Sequence, residues 1–352
     1  MSKPRVLMIG ADRGVMGGIP AVVNNYYATG LDKVVDLQYL STMKDGSKIK
    51  KLFVAAAAYA RFGRLLKNCD VLHVHMAAYA SFDRKAIFVR RAHRAGKKII
   101  IHQHGGDFKE YYFRDTDEKK HREIREVFAM ADRIVVLSEE WAEFFGTYAC
   151  DPAKIIVLHN GVIVPDYERQ DYSDHDILML GRLVAKKGAF DLLEAAPKVV
   201  KAFPDAVFYI GGDGELEKCR RIVAENGTEK NVIFTGWIKD KEKEEYLKKC
   251  SVNILPSYFE AMPISILEGM SYGMTTIATA VGGVPQIIED GVNGILIEPG
   301  SVDVIADTLI DILTDEERKA ALGRAGRETI VSRFDLKKQI DLLLDLYREL
   351  TA

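Results

Sequence analysis

Residues 255–279, LPSYFEAMPISILEGMSYGMTTIAT, carry the clearest fold signal in this chain. An apolar run that ends at Leu255 predicts a buried strand. Pro263 is predicted to open a helix, because its fixed φ suits a first helical turn, and Gly273 is predicted to end it. A second apolar strand is expected over Thr275–Thr279. This order of strand, loop, helix and strand is typical of an α/β domain with a parallel sheet.

Two carboxylates flank the predicted helix N-terminus, at the strand end where open α/β sheets bind ligands. The N–H groups of Ile264 and Ser265 are expected to attract a phosphate. Glu260 and Glu268, set back from that point, could accept hydrogen bonds from sugar hydroxyls. Alternatively, Glu260 caps the helix and Glu268 is solvated surface. An unpaired carboxylate on this mostly apolar helix would, however, be costly.

The spacing of Glu260 and Glu268, followed by GMSYGMTTIATAVGGVPQIIEDGVNGILIEPG at 269–300, resembles the donor-nucleotide site of retaining glycosyltransferases of family 4. Those enzymes have the GT-B fold. The resemblance implies an α/β chain of two facing Rossmann-like parallel-sheet domains with a cleft between them. It also implies that Met262 and Pro263 belong to the donor site.

The same resemblance implies the division of the chain. Residues 1–165 would form the acceptor-side domain, and residues 166–335 the domain that binds the nucleotide-sugar donor. Residues 336–352, a strongly amphipathic helix, would cross back onto the first domain. At 352 residues the chain is long enough for two such cores.

A second donor-side motif is GRLVAKKG at 181–188. Arg182 and Lys187 flank a loop at a strand's carboxyl end, where a guanidinium fork and an ammonium suit a diphosphate. The stretch resembles the family pattern G-R-L-x-x-x-K-G. The resemblance further implies that the loop of Trp237 and Ile238 packs on the nucleobase, although Trp237 is as compatible with simple packing.

The N-terminal half offers fewer site residues. A glycine-rich loop follows the first strand, without the GxGxxG fingerprint. The resemblance implies that Gly17 and Gly18 let the backbone approach the donor diphosphate, whereas a plain tight turn would also use glycine. His104, in an H-G step at a strand end, is implied to lie near the donor sugar and is our candidate catalytic residue from this half.

Four histidines, His73, His75, His102 and His104, share strand faces and raise a metal hypothesis. We give it little weight, because no carboxylate or cysteine completes a ligand set at familiar spacing. The DTD at 115–117 is interpreted as helix capping. We therefore predict no metal site and no cofactor apart from the nucleotide-sugar co-substrate.

Charge divides unevenly along the chain, with a net +8 over residues 1–165 and −10 over the remainder. Residues 48–67 and 81–98 are basic and amphipathic, so they could lie on an anionic membrane surface; solvated helix faces would look the same. The N-terminus has too short an apolar run for a signal peptide. Four cysteines without CxxC spacing suit a reducing cytosol. We expect a cytoplasmic protein, peripheral to the inner face of the membrane if the basic segments bind it.

The resemblance implies a retaining, metal-independent transfer from a nucleotide-diphosphate sugar, a UDP-sugar before a GDP-sugar. The acceptor would be a hydroxyl of a glycan or polyprenyl-linked glycan in surface polysaccharide biosynthesis. Arg182 and Lys187 would stabilise the leaving phosphate, Glu260 would bind the sugar and Glu268 the ribose. The alternatives are a sugar-nucleotide epimerase or hydrolase with the same fold, or a non-catalytic partner subunit. No nucleic-acid partner is expected.

Overall fold

The computed structural model describes residues 3–352, apart from the side chains of residues 48–52. The chain forms two compact units. One contains the residues up to Gly161 together with Leu336–Ala352, and the other is Val162–Asp335. The first boundary thus falls at Gly161, whereas the prediction placed it after residue 165.

The first unit alternates strands and helices. Its strands are β1 (Arg5–Ala11), β2 (Asp36–Met43), β3 (Val71–Met76), β4 (Lys98–Gln103), β5 (Arg133–Val136) and β6 (Ile155–Val157). Its helices are α1 (Gly18–Ala28), α2 (Leu31–Val34), α3 (Lys48–Lys67), α4 (Ala80–Arg94), α5 (Phe108–Arg114), α6 (Glu118–Ala129) and α7 (Glu139–Tyr148), with a 3-10 turn at Pro152–Lys154.

The second unit repeats the alternation. Its strands are β7 (Asp176–Leu180), β8 (Val207–Gly211), β9 (Val232–Gly236), β10 (Val252–Leu255), β11 (Thr275–Thr279) and β12 (Ile295–Ile297). Its helices are α8 (Ala189–Ala202), α9 (Leu216–Glu225), α10 (Asp240–Lys249), α11 (Ile264–Ser271), α12 (Val302–Thr314) and α13 (Glu316–Thr329). Short 3-10 turns lie at Ala185–Lys187 and Val284–Gln286, a π-helical turn follows at Ile330–Phe334, and α14 (Leu336–Thr351) returns to the first unit.

Both sheets are six-stranded and parallel, and each contains a point where the strand order reverses. The first sheet runs β2-β1-β3-β4-β5-β6, and the second runs β12-β11-β10-β7-β8-β9. The order therefore reverses between β1 and β3 in the first unit and between β7 and β10 in the second. Connections at such a switch point leave toward opposite faces, which opens a crevice outside the carboxyl ends of the strands.

The central strands of each sheet are covered on both faces. Every residue of β3, β10 and β11 is buried, which explains why these segments read as continuous apolar runs rather than as alternating ones. The predicted bounds of β11 and of the helix at 48–67, α3, are confirmed. The basic segment 81–98 is not one helix, because α4 ends at Arg94 and Lys98 begins β4.

No helix in the described residues combines the length and the apolarity that crossing a bilayer requires. All four cysteines are free thiols. Burial raises the pKa of the Cys219 thiol to about 11.

Candidate active site

The loops after β7 and β10 meet at the switch point of the second sheet. Gly188 has a φ of +66°, and a Cβ there would lie 2.0 Å from the carbonyl oxygen of Pro256. Beside it, the Tyr258 N–H donates to the Lys186 carbonyl at 2.9 Å. Only glycine allows such an approach in this conformation. Gly188 therefore sets how closely the two loops pack.

A lysine and a glutamate from these two loops form a partly buried ion pair. Lys187 Nζ lies 2.5 Å from Glu260 Oε1, and Ser257 Oγ donates to the same oxygen at 2.7 Å. The Glu260 side chain is 7% exposed. Its second oxygen, Oε2, accepts no hydrogen bond from the residues that the structure describes. The alternative that Glu260 caps α11 is wrong, because no side chain caps that helix.

A third loop, which follows β11, also packs against the backbone of Glu260. Gly282 has a φ of +54°, and a Cβ there would lie 1.7 Å from the Glu260 carbonyl oxygen. The Gly283 N–H donates to the Ala261 carbonyl at 2.9 Å, and the Thr279 hydroxyl donates to the Ser257 carbonyl. The carboxylate is thus fixed in place before any ligand binds.

The N-terminus of α11 lies directly after this loop. Pro263, predicted in the first turn, is instead the N-cap residue, with φ −74° and ψ 123°, and the helix begins at Ile264. Met262 is buried beneath it, at 3% exposure. Ile264 and Ser265 are partly exposed. Their N–H groups have no carbonyl from a preceding turn to bind, so they can donate to an anion.

Glu268 also has a lysine partner, which sequence reasoning missed. Lys243 Nζ, on α10, lies 2.5 Å from Glu268 Oε1. The Glu268 side chain is 18% exposed and the Lys243 side chain 29%. Glu268 is therefore neither unpaired nor simply solvated. Its Oε2 is left for another donor within the described part of the chain.

Arg182 does not pair with Glu260, the partner of Lys187. Its Nε lies 3.2 Å from Asp213 Oδ1, and the Arg182 side chain is 54% exposed. A largely exposed pair of this kind contributes little to stability, so the guanidinium can turn toward a ligand. Further along the sheet edge, Trp237 is 39% exposed and the neighbouring Ile238 is 6% exposed.

In the first unit, Gly17 and Gly18 lie at the start of α1. Gly17 has a φ of +148°, which favours glycine, and Gly18 is the first helical residue. A Cβ on Gly18 would meet no atom within 4 Å, so the backbone is approachable there.

His104 follows β4 and belongs to a set of four histidines, His73, His75, His102 and His104, that we call the histidine stack. The rings form two edge-to-edge pairs. His73 Nε2 lies 3.2 Å from His102 Nδ1, and His75 Nδ1 lies 2.8 Å from His104 Nε2. One pair stacks on the other, with 4.1 Å between the ring centroids of His102 and His104. The far end is held by Tyr347 of α14, whose hydroxyl lies 2.6 Å from His73 Nδ1.

The histidine stack is electrically neutral. Burial lowers the pKa of His73 to about 3, and it lowers the pKa values of His75 and His102 as well. Three of these rings could offer one nitrogen each to a metal, since suitable atoms of His73, His75 and His102 lie within 4.8 Å of one another. No carboxylate joins them in the described chain, and the buried ammonium of Lys85 lies close enough to disfavour positive charge on His75. The absence of a metal from the stack stays a prediction.

Sequence reasoning missed three residues that position the predicted ones. Ser257 could have been found, because it lies in the same short loop as Glu260. Asp213 lies in the glycine-rich stretch GGDG at 211–214, although its pairing with Arg182 is not visible there. Lys243 gives no signal, since it is one of several lysines in the charged run DKEKEEYLKK.

Two family models together match most of the chain. Residues 31–164 match "Glycosyltransferase Family 4", and residues 166–329 match "Glycosyl transferases group 1". Among curated relatives, an Escherichia coli UDP-Gal:alpha-D-GlcNAc-diphosphoundecaprenol alpha-1,3-galactosyltransferase is 28% identical over 314 residues, which is 82% of this chain and 78% of the relative. Several relatives of 30–31% identity are matched over only about half of their own length.

Two solved structures share the architecture. Sucrose-phosphate synthase from Thermosynechococcus elongatus superposes with a TM-score of 0.82 at 18% identity, over 99% of both chains. HepE from Anabaena, in complex with UDP and glucose, superposes with a TM-score of 0.79 at 16% identity, over 98% of this chain and 100% of HepE. These structures confirm the predicted GT-B fold class. Given the two family matches, the chain belongs to the group 1 and family 4 glycosyltransferases.

Proposed function

We propose that this protein transfers a sugar from a nucleoside-diphosphate sugar, a UDP-sugar before a GDP-sugar, to a hydroxyl of a glycan or lipid-linked glycan in surface polysaccharide biosynthesis. The observation that carries the proposal is the Lys187–Glu260 ion pair beside the uncapped N-terminus of α11, at the switch point of the second sheet. It offers a cation, a carboxylate and free N–H groups together, which suits a sugar joined to a diphosphate.

The leaving phosphate would be stabilised by groups of one loop and one helix end. The bond between the anomeric carbon and the phosphate oxygen breaks, and the electron pair leaves on the phosphate. Lys187, Arg182 and the N–H groups of Ile264 and Ser265 offset that charge. The acceptor oxygen bonds to the same face of the carbon, which retains its configuration, and its proton passes to the departing phosphate oxygen. No step uses a metal or a further cofactor.

The two carboxylates would orient the donor. Lys187 and Ser257 occupy only Oε1 of Glu260, so Oε2 can accept a hydroxyl of the transferred sugar. Lys243 likewise occupies only Oε1 of Glu268, which leaves Oε2 for a ribose hydroxyl. From the first unit, Gly17 and Gly18 would meet the diphosphate, and His104 the sugar. Trp237 and Ile238 would pack on the base.

The relatives support the type of donor and acceptor. The Escherichia coli relative is named for a UDP-galactose donor and a diphosphoundecaprenol-linked acceptor. HepE was solved with UDP and glucose. A polyprenyl-linked acceptor would require the enzyme to work at a membrane surface, on its cytoplasmic side.

Helices α3 and α4 form a surface suited to an anionic membrane. Phe53 and Ile87 are 72% and 51% exposed, and Arg61 is exposed nearby on α3. Arg91 of α4 stacks over the Tyr59 ring and donates to the Tyr59 carbonyl, which joins the two helices. Exposed apolar side chains among cations are the pattern of an interfacial helix. The basic residues at 48, 50 and 51, part of the predicted segment, lie outside the described side chains.

Thermal unfolding with UDP, GDP, ADP, CDP and dTDP tests the donor site, because a ligand at 100 times its Kd stabilises the folded state by about 2.7 kcal/mol. We expect one diphosphate, UDP first, to raise the Tm of the wild type and of Lys186→Ala but not of Lys187→Ala. The Lys186→Ala variant is the control, because this substitution removes the same charge from the same loop. If no diphosphate raises the Tm, the site is not a nucleotide site and a non-catalytic subunit becomes the better explanation.

Nucleotide release from UDP-sugars then tests the reaction. We expect release to depend on an added acceptor, here N-acetylglucosaminyl diphosphoundecaprenol, with the sugar recovered on the lipid. Complete conversion of the donor without acceptor would instead indicate an epimerase or a hydrolase.

Flotation with anionic and neutral liposomes tests the membrane surface. Wild type and Phe113→Ser, which removes an exposed phenylalanine elsewhere in the first unit, should float with anionic vesicles. Phe53→Ser should float less. Equal flotation of both variants would refute the assigned surface.

A further inference from the structure

An open groove of about 710 Å³ lies on the first unit, and none of the roles proposed above uses it. Its walls are the first residues of α4, the end of α5 and the turn before α6. Helix α4 follows β3 and α5 follows β4, so the groove begins at the same carboxyl edge of the sheet as His104.

A tyrosine is held open to solvent at one wall of the groove. Tyr79 has φ 53° and ψ −134°, a conformation that non-glycine residues rarely adopt. Its hydroxyl donates to Asp115 Oδ2 at 2.6 Å, and the residue remains 39% exposed. The Tyr111 ring supports it, with 4.7 Å between the ring centroids. A fixed, exposed aromatic ring favours contact with the apolar C–H face of a sugar.

The groove also contains a buried hydroxyl that lacks a partner. Tyr111 lines the groove at 4% exposure, and its hydroxyl makes no hydrogen bond within the part of the chain that the structure describes. A buried hydroxyl without a partner destabilises the fold. A ligand hydroxyl in the groove would supply the missing bond.

The charges of the groove favour a neutral ligand. Three carboxylates line it, and Asp83 is paired with Lys120 at 3.0 Å. Asp117 caps α6 by accepting the Lys120 N–H at 2.9 Å, which confirms that the DTD stretch caps a helix. Arg114 is the second cation, and its guanidinium has no partner among the described residues. A phosphate or carboxylate would face more negative than positive groups.

We infer that this groove binds a neutral sugar residue of the acceptor glycan, at a distance from the hydroxyl that receives the transferred sugar. Tyr79 supplies the stacking surface, the Tyr111 hydroxyl binds a sugar hydroxyl, and Arg114 donates to another. The inference rests on the proposed function, because it concerns the acceptor of the same reaction.

Saturation-transfer NMR on the full chain, with UDP added to fill the donor site, tests the groove. The probes are the methyl α-glycosides of glucose, galactose, mannose and N-acetylglucosamine, with glucose 1-phosphate as the anionic comparison. The first variant is Tyr79→Gly, which removes the ring and relieves the backbone, so the fold should persist. The control is Tyr148→Ala, which removes another exposed tyrosine of the first unit.

We expect at least one neutral glycoside to bind, with an affinity about tenfold lower in Tyr79→Gly, equivalent to about 1.4 kcal/mol, and unchanged in Tyr148→Ala. Glucose 1-phosphate should bind more weakly than the neutral sugars. The inference is overturned if no glycoside binds, if Tyr79→Gly binds as well as the wild type, or if the phosphate binds best. UDP stabilisation that persists in those cases leaves the proposed function standing, whereas its loss as well would remove both.

Discussion

Lowering the pH should unfold the first unit through the histidine stack. The pKa of His73 is lowered by burial to about 3, and those of His75 and His102 are lowered too, from an ordinary 6.5. Between these pH values the unfolded chain binds protons and the folded chain does not. The free energy of unfolding is therefore highest above pH 6.5 and falls as the pH decreases. At pH 5 His73 alone destabilises the fold by about 2 kcal/mol, and His75 and His102 act in the same direction.

His104 belongs to the same window, because burial lowers its pKa to about 3. The shifted groups Lys85, Asp70 and Glu123 fall outside it. The pKa of Lys85 is lowered by burial to about 7, so its contribution changes between its ordinary 10.5 and 7 and is constant below pH 6.5. Hydrogen bonds and nearby cations lower the pKa values of Asp70 and Glu123 below the ordinary values, so those carboxylates lose their stabilising effect only in more acidic solution.

Each unit has one tryptophan, which allows them to be followed separately. Trp141 is buried in the first unit, and Trp237 lies in the second. We would measure urea unfolding of Trp237→Phe by Trp141 fluorescence from pH 7.5 to pH 5, alone and with His75→Leu. The added substitution should reduce the pH-induced loss, because it removes a side chain that the unfolded chain protonates in this range and the folded chain does not. The exposed His93→Gln is the control and should leave the loss unchanged.

Two results would contradict this reasoning. A loss below about 1 kcal/mol between pH 7.5 and pH 5 would mean that the rings are already protonated or solvated in the folded state, because one neutral buried histidine alone should exceed it. An identical loss with and without His75→Leu would mean that other groups cause the acid sensitivity.

Three further predictions concern the second unit. Gly188→Ala should destabilise it by several kcal/mol in urea unfolding, on the order of 3, because a Cβ would meet the Pro256 carbonyl oxygen at 2.0 Å in a left-handed conformation. Lys243→Ala should weaken UDP binding about tenfold by calorimetry, since Glu268 loses the cation that orients it, and Lys243→Arg should restore most of it. Phe208→Ala, at a fully buried position of β8, should destabilise the unit by about 3–5 kcal/mol when Trp237 fluorescence is followed, without changing the Trp141 transition.

The sequence predicted best those structural features that depend on a short stretch of residues. Strand β11 was predicted at its observed bounds because a buried parallel strand reads as a short apolar run between glycines and polar residues. Ser138, just before α7, is a residue type that favours N-caps, and its hydroxyl oxygen accepts the Trp141 N–H. Helix α5 was missed, because FKEYYFR is too short to show a helical period.

Contacts between distant residues were less predictable. The sequence placed His73 with His75 and His102 with His104 on strand faces, but the observed pairs join His73 to His102 and His75 to His104 across the strands. That pairing depends on the register in which His75 lies opposite His102. Register follows from packing over the whole sheet rather than from either strand.

The strand order decides more of the function than any single motif. Lys187 and Glu260 are 73 residues apart, and each motif alone is compatible with an ordinary surface loop. They meet because β7 and β10 are neighbours in the second sheet, although β8 and β9 come between them in the chain. Had β10 joined the sheet beside β9, the two loops would lie at different strand ends and the carboxylate would have no cation. Their functional meaning therefore comes from the reversal of strand order, which creates the crevice that the ion pair lines.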